Sequence, residues 1–89
     1  MKAGLAWYEE RDYAAILAIM EDADRLPSTF SSWREKAEKA ERALKRQGHT
    51  VVRAMILPGE FPAWCQSRGM KVDGDARKLF ANYVAAGKL

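Results

Sequence analysis

The sequence predicts an α+β domain, mostly helical, in which four helices pack with one central strand in the order α-α-β-α-α. Three observations point there. Apolar residues recur at helical spacing in four stretches separated by capping residues, glycines and prolines. One stretch alone, Val51 to Leu57, carries the run of β-branched and long apolar residues that marks a convincing strand. Finally, 89 residues hold one hydrophobic core and not two, so 1–89 is a single small globular domain.

The first helix is expected to start at Asp12 and run to about Asp22. Tyr13, Ile16, Leu17 and Met20 fall at i, i+3, i+4 and i+7 of its apolar face. The segment Asp24-Arg25-Leu26-Pro27-Ser28 ends it, because proline disfavours helical geometry in the residue before it. Thr29, with Ser31 and Ser32 as competitors, is expected to cap the second helix, which runs to Gln47 and stops at Gly48. Its apolar stripe is Phe30, Trp33, Ala37, Ala40 and Leu44. The rest of its surface pairs Glu35 with Lys39, Glu38 with Arg42 and Glu41 with Lys45, as on a solvated helix face.

In the strand, Thr50, Val52, Ala54 and Ile56 share one face, and Val51, Arg53, Met55 and Leu57 the other. Pro58-Gly59 closes it. Glu60 to Arg68 forms a short third helix with Pro62 in its first turn, where no helical hydrogen bond is lost. Asp73 caps a fourth helix with Ala76, Leu79, Phe80, Tyr83 and Val84 on one stripe. Tyr13, Trp33, Phe61, Trp64, Leu79 and Phe80 occupy stripe centres and are expected in the core.

A lone strand leaves its backbone donors and acceptors unpaired. Its partner is either Lys2–Trp7, which contains Gly4 and two alanines, or a strand of another chain; the expectation is pairing across a dimer.

The net charge of +3 is unevenly placed. Residues 1–38 hold five basic and eight acidic side chains, and residues 39–89 hold ten basic and four acidic. No Lys/Arg cluster is dense, so opposed halves explain the balance better than a nucleic-acid footprint does. Cys65 is the sole cysteine, which excludes an intrachain disulfide and a multi-thiolate metal site and fits a reducing compartment. The longest apolar run, Tyr13 to Met20, is far below the roughly 20 residues a membrane helix needs. With no leader pattern visible, the expected location is cytoplasmic.

Chemistry finds little purchase. His49, the sole histidine, follows a helix-ending glycine and reads as a surface residue. Cys65 shares an apolar face with Phe61 and Trp64 and reads as an inert core thiol. The acidic groups Glu9, Glu10, Asp12 and Glu21, Asp22, Asp24 lack the spacing of a calcium loop. We therefore expect no enzyme, no cofactor and no metal.

From Val51 onward the order is strand, Leu57-Pro58-Gly59-Glu60-Phe61, helix, Arg68-Gly69, then a capped helix with Ala76-Arg77. This order is similar to that of ribbon-helix-helix repressors, whose paired strands enter the DNA major groove. The resemblance implies Arg53 on the groove-facing ribbon surface, with Thr50, Val52, Ala54 and Ile56 toward a dimer core. Across most of its length the chain also resembles a family of small bacterial proteins of unknown function. The shared residues are Ala6-Trp7-Tyr8, Asp12-Tyr13, Leu26-Pro27, Thr29-Phe30 with Trp33, Val51-Val52, Pro58, Glu60-Phe61 and Ala63-Trp64-Cys65. That resemblance brings no activity with it. The leading expectation is a non-catalytic interaction or adaptor protein that associates through strand pairing, with a protein partner or with itself. The alternative is a dimeric ribbon-type DNA-binding regulator. Arg53 and Met55 are the candidate contact residues for either.

Overall fold

A computed structural model describes residues 1–88. Its elements are β1 (Lys2–Trp7), α1 (Tyr13–Ile19), α2 (Phe30–Arg46), β2 (Thr50–Met55), α3 (Phe61–Ser67) and α4 (Gly74–Ala85). Single 3₁₀ turns lie at Glu10–Asp12 and Ala23–Arg25. The mostly helical α+β class is as expected. The strand count and order are not: Lys2–Trp7 is a second strand, and the order is β-α-α-β-α-α.

This corrects the expectation that another chain supplies the partner of β2. The two strands pair in parallel within one chain, from Lys2 beside Thr50 to Trp7 beside Met55. Parallel neighbours need a long crossover, and α1 and α2 provide it. The weak strand pattern of β1 has a packing cause. A Cβ on Gly4 would collide with the carbonyl oxygen of Ala81, so α4 crosses the sheet where only glycine fits.

The register places Gly4, Ala6, Val52 and Ala54 on one face and Leu5, Trp7, Arg53 and Met55 on the other. Helix α4 lies across both strands on the first face, and α2 lies across both on the second. The small sheet is thus sandwiched between helices, which is the usual setting of parallel strands. Ala54 and Ile56 point inward and are fully buried, as their shared strand face predicts.

The capping expectations hold at α2 and α4. Thr29 accepts a hydrogen bond from the Ser32 amide at 3.2 Å, and Asp73 accepts one from the Ala76 amide at 3.2 Å. Helix α2 ends ahead of Gly48, whose φ of 91° suits glycine. At α1 the start is as expected, with Asp12 at the N-cap position, but the cap bond and the far end are not. Asp12 makes no side-chain cap bond, and the helix stops at Ile19 because Met20 turns extended. The following residues bond elsewhere: the Glu21 amide donates to the Val72 carbonyl at 2.8 Å.

Two aromatic clusters fill the interior. In the first, Trp7 meets Trp33 edge-on at 5.1 Å, and Tyr8 lies 4.7 Å from Trp33. The Tyr13 hydroxyl donates to the Pro27 carbonyl at 2.6 Å, tying the Leu26–Pro27 segment to α1. In the second, Phe61, Trp64 and Phe80 meet at centroid distances of 5.2 to 5.9 Å. Tyr13, Trp33 and Phe61 are buried as expected; Trp64, Leu79 and Phe80 are only half-buried. Cys65 is fully buried, and burial pushes its thiol pKa up, away from the reactive thiolate.

Candidate interaction surfaces

The bonding pattern of the parallel pair decides which backbone groups of β1 are free. The Thr50 amide donates to the Met1 carbonyl at 2.8 Å, and the Ile56 amide donates to the Trp7 carbonyl at 2.9 Å. In a parallel ladder, successive residues turn their N–H and C=O groups to opposite sides. The odd-numbered residues of β1 therefore face β2. Gly4 and Ala6 turn theirs to the outer edge, where the two-stranded sheet ends.

That edge lies on the floor of a groove. Two adjoining clefts share Leu5, Ala6 and Arg77. One, of about 460 Å³, is walled by α4 through Gly74, Asp75, Lys78 and Ala81. The other, of about 290 Å³, is walled by α2 through Trp33, Lys36 and Ala37, together with Leu26 and Pro27. Arg77 sits at their junction. Its guanidinium donates to Asp22 through Nη1–Oδ1 at 2.8 Å and Nη2–Oδ2 at 3.1 Å, and Asp22 also accepts from the Gly74 amide at 3.1 Å. Hydrogen bonding from Arg77 holds the Asp22 carboxyl below the ordinary aspartate range. Beside this pair, burial pushes the Tyr8 hydroxyl up to about 12, against the opposing pull of Arg77.

A second surface lies at the end of β2. Met55 and Leu57 are the exposed large hydrophobic side chains besides Met1 among the described residues. Both line an apolar cleft of about 340 Å³ with Glu60, Phe61, Trp64 and Phe80. Next to it, Arg68 lies 4.9 Å from the Trp64 ring and 4.6 Å from the Tyr83 ring.

The two residues expected to make contacts are both exposed, in different settings. Met55 is exposed on the rim of the apolar cleft. Arg53 is exposed as well, but its guanidinium is tied to its own chain: Nε and Nη2 donate to the two Glu41 oxygens at 2.8 and 2.9 Å, and it lies 4.0 Å over Trp7. This corrects the reading of Glu41 as a solvated partner of Lys45. Glu41 is buried, and Arg53 lowers its carboxyl pKa chiefly by hydrogen bonding. Arg53 is thus a bridge between β2 and α2, with its Nε and one Nη2 donor taken by Glu41. The free edge at Gly4 and Ala6 escapes sequence reading altogether. A glycine inside a strand pattern was its one available signal, since it marks close backbone approach.

His49 is half-buried rather than a surface residue, with Nδ1 enclosed. Among the described residues no three His, Cys, Asp or Glu side chains converge as metal ligands. The charged cleft of Glu21, Asp22, Asp24, Arg25, Lys71, Asp73 and Asp75 mixes both signs, with Asp22 already held by Arg77. No described helix is long and apolar enough to cross a membrane. Comparison of the chain with family models, curated proteins and solved structures finds no match.

Proposed function

We propose that this protein is a non-catalytic interaction protein that associates by strand addition at the outer edge of β1. The observation that carries the proposal is the placement of the Gly4 and Ala6 backbone groups on the floor of a groove walled by α2 and α4. An extended segment laid there gains main-chain hydrogen bonds. Its side chains, alternating in direction, meet the α4 wall and the α2 wall in turn. The walls are apolar at Leu26, Trp33, Ala37 and Ala81, with Lys36, Lys78 and Asp75 as charged groups along them, so small or apolar residues flanked by charges of either sign suit them. A buried, unpaired Cys65 accords with work in a reducing compartment such as the cytoplasm.

Panning a random peptide library against the protein, followed by amide chemical-shift mapping of the hits, tests this. The expected result is hits that shift the Gly4 and Ala6 amides most. Hits that map instead to Met55, Leu57 and Trp64 would contradict it and move the binding surface to the apolar cleft.

A further inference from the structure

We infer that the segment occupying the β1 groove is β1 of a second copy of this chain, joined antiparallel about a two-fold axis through Ala6. This rests on strand addition at the groove and names its occupant.

The first support is backbone chemistry. Ala6 presents N–H and C=O outward, so two copies of Ala6 facing each other exchange both hydrogen bonds, as symmetric antiparallel strands do. The product is a four-stranded sheet in the order β2-β1-β1-β2, whose two parallel pairs meet at the antiparallel junction.

The second support is the placement of the helices. Helix α4 packs against both strands of its own copy, more closely on β1, where the Ala81 backbone meets Gly4. A two-fold axis beside β1 therefore brings the α4 helices of the two copies side by side on one face of the joined sheet.

The third support is charge complementarity. Helix α4 runs opposite to β1: Ala81 lies over Gly4, and Arg77 reaches the Tyr8 end. A strand advances about 3.3 Å per residue and a helix about 1.5 Å. Two residues along β1, from Gly4 to Ala6, therefore match about four along α4, from Ala81 to Arg77. A two-fold axis through Ala6 then passes close to Arg77 and sets Asp75 of one copy opposite Lys78 of the other. Both side chains are exposed and line the groove. One axis thus satisfies the backbone and brings two pairs of opposite charges together.

Sedimentation velocity across a concentration series, combined with charge reversal, tests the inference. The parent is expected to dimerise by high micromolar concentration, with Gly4 and Ala6 amide exchange slowing as dimer forms. Asp75→Lys and Lys78→Asp should each weaken association by about tenfold or more, and the double variant should recover most of the loss. Circular dichroism confirms that each variant is folded. A parent that stays monomeric while library peptides still bind the groove would overturn the second copy as occupant and leave strand addition standing. A dimer in which Gly4 and Ala6 exchange as fast as in the monomer, or which is indifferent to the reversals, would overturn the inferred interface. A monomer that binds no peptide at the groove would overturn both proposals.

Discussion

Gly4→Val is expected to remove a large part of the protein's stability. A Cβ at this position meets the backbone of Ala81, carbonyl oxygen first, and a backbone cannot swing aside as the end of a side chain can. Overpacking a tight contact costs about 1–3 kcal/mol and more when an element must shift. Here the element is α4, which covers the fully buried face of Ala54 and Ile56, so displacing it also exposes core. A small domain has about 5–10 kcal/mol to lose. The expected melting temperature is lower by roughly 10 °C or more, at several degrees per kcal/mol for a chain of this size. Gly59→Ala is the control, because nothing lies within 4 Å of its added Cβ and its φ is not positive. A Gly4→Val protein melting with the parent would show that α4 does not lie on β1.

Arg77→Met is the second large effect. It removes the partner of Asp22 while keeping the aliphatic bulk, and the two side chains are only 13% and 20% exposed. Breaking a fully buried pair costs about 3–5 kcal/mol. Partial exposure here brings the expected loss to about 2–3 kcal/mol at neutral pH. The pH dependence gives the sign. Asp22 has a folded-state pKa below its ordinary 3.8 because Arg77 donates to it, so its contribution is present above 3.8 and fades as pH falls through the folded value. Denaturant titrations of parent and variant should therefore differ most near neutrality and converge in strong acid. A gap that stays constant down to strong acid would mean that lost packing, not the ion pair, accounts for the change.

Local rules carried the sequence reading a fair distance. Thr29 and Asp73 cap the helices they were expected to cap, because a cap is decided within four residues. The alternation in β2 correctly sends Ala54 and Ile56 inward. What failed was long-range. The pairing of Glu41 with Lys45 follows the i, i+4 rule, but Arg53 from the neighbouring strand offers a bidentate fork that a lysine cannot. The clamp between Asp22 and Arg77 joins residues far apart in sequence and leaves no periodic trace. The glycine and alanines of Lys2–Trp7 weaken its strand pattern, yet Gly4 is what lets α4 lie close against it. The groove is hidden in the sequence for the same reason. With Lys2–Trp7 left out of the sheet, the unpaired edge falls on β2 and attention goes to Arg53 and Met55. Once β1 is seated, β2 keeps an outer edge at Val51, Arg53 and Met55, and the edge in the groove belongs to Gly4 and Ala6.

Residue-resolved amide exchange, at a concentration low enough to keep the chain monomeric, tests most directly that β1 is paired on one side and open on the other. The pattern expected along β1 is alternating: Ala3, Leu5 and Trp7 protected by bonds to β2, Gly4 and Ala6 exchanging fast. On β2, the amides of Val52, Ala54 and Ile56 should be slow. Uniformly fast exchange from Lys2 to Trp7 would contradict the intrachain parallel pair. Protection of Gly4 and Ala6 in the monomer would show the edge already closed and leave no groove floor for another strand.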